Sequence, residues 1–206
     1  MPAELLTAKG RQTRQAIEQA ARKLFAERGF HGTTLADITS AAGKSPAVFY
    51  RYFADKEDLL AALAESFLHD VVTPSGLSLH VPDSTDDDAF FTSVVTGYWN
   101  IFKQNIGIMI AVAQLAATQQ RFAGVQNAFR RFGMDIVAAS VRRAQEQGYG
   151  TELNPEHTAA AIALLFENFT TVFVGPFGAG GLGLKISDQD AIATLSTIWK
   201  KTLYGA

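Results

Sequence analysis

The spacing of apolar residues along the chain predicts helices throughout and no sustained strand. In residues 12–28 the apolar positions recur every three or four residues, which marks one face of an amphipathic helix. Gly29 follows at the position where helices commonly end. The residues of this predicted apolar face are Ile17, Ala20, Ala21, Leu24 and Phe25. A first helix over residues 12–28 is therefore expected.

Capping residues predict two short helices next. Thr34 followed by Asp37 three positions later is a capping box, which opens a helix over residues 35–42 that Gly43 ends. Ser45 is then an N-cap with Pro46 in the first helical position, where proline is tolerated. Because two short helices joined by a glycine-containing turn form a helix-turn-helix, the helix predicted over residues 46–53 is expected to enter DNA.

The polar groups around that second helix suit DNA binding. Its start offers Lys44 and Ser45, and the small residues Pro46 and Ala47 allow close approach to base edges. Hydroxyl and cationic groups follow that can hold phosphates. These are Tyr50, Arg51, Tyr52 and Lys56. A surface helix pair with ordinary aromatic packing is the alternative.

Residues 14–60 resemble the N-terminal DNA-binding domain of the tetracycline-repressor (TetR) family of transcriptional regulators. The matching positions are Ile17, residues 20–25 (AARKLF), residues 27–30 (ERGF), Thr33, Thr34, Asp37, Ile38, Ala42, Gly43, Ser45, Phe49, Tyr50, Tyr52, Phe53, Lys56, Glu57, Leu59 and Leu60. The resemblance implies an all-α homodimer whose larger C-terminal domain binds a small effector.

The same resemblance assigns roles to individual residues. It implies phosphate contacts by Thr34, Ser45, Tyr50, Tyr52 and Lys56, and base contacts by Lys44, Pro46 and Ala47. Lys44 replaces a usual aliphatic residue and Ala47 a frequent glycine, so the operator sequence cannot be carried over. The candidate DNA-binding residues are Thr33, Thr34, Lys44, Ser45, Pro46, Ala47, Tyr50, Arg51, Tyr52 and Lys56.

The rest of the chain is predicted as a helical body. Helices are expected over residues 55–70, 89–105, 106–118, 121–147, 155–174 and 188–204, with a linker over residues 73–88. The fold expected is all-α. It comprises a three-helix helix-turn-helix DNA-binding domain in residues 1–54 and a larger helical ligand-binding and dimerisation domain in residues 55–206.

Composition and charge agree with this division. Residues 1–53 hold eight Lys and Arg against four Asp and Glu, whereas the remainder holds ten against sixteen. A basic N-terminal part on an acidic body is the expected charge pattern of a DNA-binding protein. The absence of Cys, of an apolar leader and of a run of about 20 apolar residues predicts a cytoplasmic protein with no membrane partner.

The two last helices are predicted to form a dimer. The helix after Asn154 is apolar nearly all round, and the final helix carries one broad apolar stripe. Four such helices can pack across a two-fold axis, although burial within one subunit is the alternative. The candidate interface residues are Leu164, Glu167, Leu195, Ile198 and Trp199.

An effector pocket is predicted where aromatic residues recur with little charge. Its candidate residues are Trp99, Phe102, Met109, Phe129, Phe166, Phe169 and Phe173. Glu167, the one charge inside an apolar helix, serves either the pocket or the interface, and the interface is preferred.

Catalytic and cofactor chemistry is not expected. Residues 178–183 (GAGGLG) fit a dinucleotide-binding glycine pattern but lack the following helix and second strand. The four His are scattered, so no metal or cofactor is expected. We therefore expect a DNA-binding regulator, a repressor that a hydrophobic effector releases from a pseudo-palindromic operator. The alternatives are an enzyme using the C-terminal pocket and an effector-independent DNA-binding protein.

Overall fold

The computed structural model describes residues 7–72, 87–175 and 182–205. These ranges contain α-helices and no strand, which confirms the all-α fold. The helices are α1 (Ala8–Arg28), α2 (Leu35–Ala41), α3 (Pro46–Phe49), α4 (Lys56–Val72), α5 (Asp88–Gln104), α6 (Ile106–Ala116), α7 (Gln120–Glu146), α8 (Pro155–Val174) and α9 (Asp188–Tyr204). The linker predicted over 73–88 falls outside the described residues except for its last two, and so does most of the glycine pattern at 178–183.

Side-chain caps fix the helix starts as the sequence predicts. Asn154 Oδ1 accepts a hydrogen bond from the His157 amide at 2.9 Å, and Ser187 Oγ accepts one from the Asp190 amide at 3.1 Å. Each cap satisfies an amide that the first turn leaves without a helical partner. α1 starts at Ala8, earlier than predicted, because Thr7 supplies a cap of the same kind.

Helix α3 is shorter than the predicted 46–53. After Phe49 the chain continues in hydrogen-bonded turns, with the Tyr52 amide donating to the Phe49 carbonyl at 2.9 Å. The next capping box then sets the start of α4, since the Asp58 amide donates to Asp55 Oδ1 at 2.7 Å. The turns keep Phe53 in the core, 5.6 Å from the Phe49 ring.

The chain divides into two compact units. Unit 1 comprises residues 1–69 and 105–126, and unit 2 comprises residues 70–104 and 127–206. The predicted division after residue 54 does not coincide with them, because most of α4, all of α6 and the start of α7 pack with the first three helices. The assignment of DNA binding to residues 1–54 and effector binding to residues 55–206 remains a prediction.

Unit 1 is held together by the close approach of α1 and α6. A Cβ added to Gly107 would lie 2.5 Å from the backbone nitrogen of Ala26, so only glycine fits there. At the start of α6, Arg22 Nη1 donates to Asn105 Oδ1 at 2.9 Å. Further along the chain, Arg121 reaches Asp58 Oδ1 of α4 at 3.3 Å. The described core of this unit includes Ile17, Leu24, Phe25, Ile38, Phe49, Leu59, Leu63, Ile108, Val112 and Phe122.

Unit 2 is built around Trp199 of α9. Its ring meets Phe91 edge-on at 5.2 Å, and its indole N–H donates to Ser140 Oγ at 3.1 Å. Ser140 in turn donates to the Val137 carbonyl at 2.7 Å, so the Trp199 indole and the Ser140 hydroxyl are both paired. Two exposed ion pairs, Lys103–Asp188 and Lys200–Asp88, link α5 and α9.

Helix α8 is long and apolar enough to cross a membrane by length and composition alone, the one such helix among the described residues. Four of its residues instead lie buried inside unit 2. They are Ala159, Ile162, Phe166 and Thr170.

Candidate functional site

A glycine turn and a capping box define the helix-turn-helix. Gly43 has a φ of 62°, a left-handed conformation that glycine adopts without strain. The Asp37 amide donates to Thr34 Oγ1 at 3.1 Å, and the Thr34 amide donates back to Asp37 Oδ2 at 2.8 Å. The hydroxyl and amide of Thr34 hold the pKa of Asp37 below its usual value. The predicted capping box is confirmed.

Helix α3 presents small and polar side chains to solvent. Phe49 is fully buried and anchors its inner side, whereas the Tyr50 ring is 60% exposed. Ser45 caps the helix by accepting from the Val48 amide at 3.4 Å. The other predicted groups exposed with Tyr50 are Thr34, Ser45, Pro46, Ala47 and Arg51, and Lys44 is half-buried. These seven residues form the candidate DNA-reading surface.

Two predicted DNA contacts do not lie on that surface. Thr33 is fully buried, and its hydroxyl donates to the Gly29 carbonyl at 2.8 Å, so it secures the turn after α1. Tyr52 is buried beside Phe53 in the core of unit 1. Because Thr33 exposes no surface, the prediction that its side chain contacts DNA is corrected, whereas contact by Tyr52, which is 9% exposed, stays a prediction.

Lys56 has a structural role that its sequence position does not indicate. Its ammonium donates to the carbonyl oxygens of Phe30 and Thr33, both at 2.7 Å. It also lies 4.2 Å from the centre of the Phe30 ring. Burial lowers the pKa of Lys56. The ammonium therefore ties α4 to the turn between α1 and α2, a role distinct from the predicted phosphate contact.

Five of the predicted pocket residues lie near one another in unit 2. The Trp99 and Phe169 rings lie 6.4 Å apart, and the Phe169 and Phe173 rings 4.6 Å apart. Phe102 and Phe166 both contact Tyr98, with ring centres 5.6 and 5.7 Å away. Because these aromatic rings come from α5 and α8, the two helices enclose an apolar region inside the unit.

The two other predicted pocket residues differ in position. Phe129 lies half-buried on α7 within unit 2, whereas Met109 lies on α6 within unit 1. Effector contact by either of them stays a prediction.

The predicted interface residues separate into exposed and buried sets. Leu164 and Ile198 are 43% and 39% exposed, which is unusual for large apolar side chains. Leu195 and Trp199 are 0% and 1% exposed and belong to the core of unit 2. Their prediction as interface residues is corrected, since the apolar stripe of α9 faces its own subunit. A groove beside the exposed residues is lined by His157, Thr158, Ala161, Ile162, Leu165, Ile198 and Thr202.

Glu167 takes part in an ion pair within its own chain. Arg130 Nε and Nη2 donate to its two carboxylate oxygens at 2.7 and 2.8 Å. This hydrogen bonding raises the pKa of Arg130. The bidentate pair joins α7 to α8 and accounts for a charge inside an apolar helix without an effector or a second subunit.

Metal-ligating side chains were compared across residues 7–72, 87–175 and 182–205. No group of three or more His, Cys, Asp or Glu side chains among those residues is close enough to hold a metal ion.

The comparisons with known proteins concern first the N-terminal part. Residues 17–63 match the family described as bacterial regulatory proteins, tetR family. The repressor AcnR of Corynebacterium glutamicum is 40% identical over 68 residues, which cover 32% of this chain and 36% of AcnR. The regulator EthR of Mycobacterium tuberculosis is 24% identical over 92% of this chain and 86% of its own length.

A solved structure extends the likeness to nearly the whole chain. FadR of Bacillus subtilis, determined in complex with stearoyl-CoA, superposes with a TM-score of 0.65 at 17% identity, covering 93% of this chain and 98% of FadR. At that identity the superposition shows the fold, and the relatives that match in sequence are named as transcriptional regulators. The helix-turn-helix lies within the matched residues, and residues 17–63 belong to the tetR family of bacterial regulatory proteins.

Proposed function

We propose that the chain is a cytoplasmic, homodimeric repressor that leaves a pseudo-palindromic operator when a small hydrophobic effector binds in unit 2. The proposal of DNA binding is supported by the exposed surface of α3 and of the turn that follows it. Pro46 and Ala47 on α3 and Tyr50 and Arg51 directly after it are exposed, and the buried Phe49 anchors the helix. Recognition helices of this motif contact bases and phosphates from such a surface.

Base reading is assigned to Lys44 and Ala47, and phosphate contact to Tyr50 and Arg51. The test measures binding to a labelled duplex from the intergenic DNA beside the gene and to a random duplex of equal length, by fluorescence anisotropy. Lys44→Ala should weaken specific binding by about 1–3 kcal/mol and relax preference at one position per half-site. Tyr50→Phe should weaken binding to both duplexes alike, while Lys185→Ala, an exposed charge outside the motif, should change neither. Equal losses on both duplexes for Lys44→Ala would make it a phosphate contact, and equal wild-type affinity for both duplexes would refute operator recognition.

The homodimer is supported by the exposed apolar residues of α8 and α9. Leu164, Leu165 and Ile198 are each about two-fifths exposed, and Leu165 and Ile198 line the groove between these helices. A second copy would remove this apolar surface from water. Ile198→Glu should therefore give a folded monomer that binds one half-site weakly, as measured by analytical ultracentrifugation and circular dichroism. Ala193→Glu, exposed on α9, is the matched control and should stay dimeric. A dimeric Ile198→Glu protein would place the interface elsewhere.

The effector part is supported by the aromatic region between α5 and α8. Ligand sites are mostly apolar with a few polar groups, and the related FadR was solved with stearoyl-CoA. An effector acts by binding more tightly to the state that disfavours the operator, typically by 1–3 kcal/mol. Release of DNA by a compound extracted from the host would support this mechanism. An unchanged operator affinity across such extracts would favour the effector-independent regulator. Catalysis is not assigned, because the relatives are named as regulators.

A further inference from the structure

The capping box at the start of α2 engages both hydrogen-bond donors of Thr34. Thr34 Oγ1 lies 2.5 Å from Asp37 Oδ2, a distance that requires a hydrogen between the two oxygens. That hydrogen belongs to Thr34, because the lowered pKa of Asp37 keeps its carboxyl group ionised and without a proton. The Thr34 amide donates to the same carboxylate oxygen at 2.8 Å. One carboxylate therefore holds both groups that Thr34 would offer to a DNA phosphate.

The same carboxylate makes the edge at Thr34 unfavourable for DNA. A phosphate there would meet a negative charge of the protein, and like charges at close range repel. Lys56, the cation predicted to contact a phosphate, has its ammonium bonded to the carbonyl oxygens of Phe30 and Thr33. A phosphate contact at this edge therefore needs a further cation.

Arg28 places a guanidinium at this edge. Its Nη1 lies 3.6 Å from Asp37 Oδ1, the carboxylate oxygen that does not bond Thr34. That distance is within ion-pair range but too long for a hydrogen bond. The Arg28 side chain is 54% exposed, and its guanidinium makes no hydrogen bond within residues 7–72, 87–175 and 182–205. Arginine carries five N–H donors in a planar fork, so Arg28 can give two of them to one phosphate while it stays beside Asp37.

Lys23 provides an internal comparison on the same helix. Its ammonium lies 3.9 Å from Glu27 Oε1, also an exposed ion pair without a hydrogen bond. Five residues separate Lys23 from Arg28, which turns the two side chains about 140° apart around the axis of α1. The two cations therefore leave the helix in different directions, and only Arg28 contacts the capping box of α2.

We propose that Arg28 contacts DNA, holding a backbone phosphate beside the start of α2, at the edge where Thr34 was predicted to do so. The ion pair with Asp37 keeps the guanidinium at this edge in the free protein. Because phosphates carry no base information, Arg28 contributes to affinity and register and not to the choice of sequence. The inference rests on the proposed DNA-binding function and adds one residue to its contacts.

The test measures binding of the full-length protein to the intergenic duplex and to a random duplex of equal length, by fluorescence anisotropy at several salt concentrations. Arg28→Met removes the charge and keeps an unbranched apolar stem. It should lower the slope of log affinity against log salt by about one on both duplexes, and weaken binding roughly five- to tenfold at about 0.1 M salt. Arg28→Lys should restore the slope but only part of the affinity, because an ammonium cannot form the paired contact.

The matched control is Lys23→Met, which removes one positive charge from the same helix and should leave the slope unchanged. Thermal melts accompany the titrations. Arg28→Met should melt close to the wild-type temperature, because exposed ion pairs contribute little to stability. A lower melting temperature with an unchanged slope would limit Arg28 to supporting the contact between α1 and α2, and would overturn the inference.

Two further results would also overturn it. One is an Arg28→Met protein with the slope and affinity of the wild type. The other is an equal fall in slope for Arg28→Met and Lys23→Met, since that would be a general effect of charge and not a contact. Failure of the proposed function is seen separately, because a wild-type protein that binds neither duplex would remove DNA binding itself and the Arg28 contact with it.

Discussion

Substitution of Lys56 tests whether the cation at the start of α4 contacts a DNA phosphate or stabilises the fold. Its ammonium donates to two carbonyl oxygens at 2.7 Å and lies over the Phe30 ring. Hydrogen bonds from a charged donor contribute about 1.5–3 kcal/mol each when fully buried. Because Lys56 is half-buried, we expect Lys56→Met to lower the free energy of unfolding by about 2–3 kcal/mol for both bonds together.

The assay combines a thermal melt with DNA titrations at several salt concentrations. A loss of that size should lower the melting temperature by roughly 5–10 °C for a chain of this length. If Lys56 also holds a phosphate, the slope of log affinity against log salt should fall by about one. Methionine keeps the apolar stem, so packing changes little. Arg51→Met, which removes an exposed charge from the reading surface, is the control that should lower the slope without changing the melt.

The result that would refute this reasoning is specific. A Lys56→Met protein that melts like the wild type and loses one unit of salt slope would make Lys56 a phosphate contact alone. The two carbonyl bonds would then contribute nothing measurable to stability.

Two further predictions concern unit 1. Gly107→Ala would bring a Cβ to 2.5 Å from the α1 backbone, and we expect the forced shift to lower the free energy of unfolding by about 2–3 kcal/mol, as measured by a thermal melt. The control Gly97→Ala, whose Cβ would meet nothing within 4 Å, should be neutral or slightly stabilising. Equal melting temperatures for the two variants would contradict the close approach of α1 and α6. The pKa of Asp37 is lowered from 3.8, so its contribution to stability should be complete above that pH and lost as the pH falls through the lowered value. Asp37→Asn should reduce the loss of stability at acid pH, as measured by the free energy of unfolding against pH. An unchanged pH dependence would show that the Asp37 charge in the capping box contributes no measurable stability.

The starts of several helices were predictable because capping is local chemistry. Asn154 with Pro155, and Ser187 with Asp190, each form their cap within four residues, so the sequence alone predicts where α8 and α9 begin. The turn at Gly43 is local for the same reason. The all-α fold follows from such signals taken together with the spacing of apolar residues.

The tertiary roles were not predictable from the same patterns. The apolar stripe of α9 was expected at a dimer interface, but a stripe does not reveal whether its partner is the same chain or another, and Leu195 and Trp199 lie in their own core. Burial of Thr33 likewise depends on the turn after α1 closing over its side chain. The ion pair of Glu167 with Arg130 joins positions 37 residues apart, which no local pattern indicates.

The fit of Gly107 against α1 has a consequence for exchanging DNA-reading parts between members of the family. A graft cut after residue 54 would pack a foreign first helix against the α6 of this chain. At Gly107 the backbone of α1 lies less than 3 Å from the position that a Cβ would occupy. A donor helix with a wider spacing would leave a void there, and voids in a packed interior are costly. A transplant that carries residues 105–126 along with the N-terminal helices would preserve the contact between α1 and α6. The segment to be exchanged is therefore discontinuous in the chain.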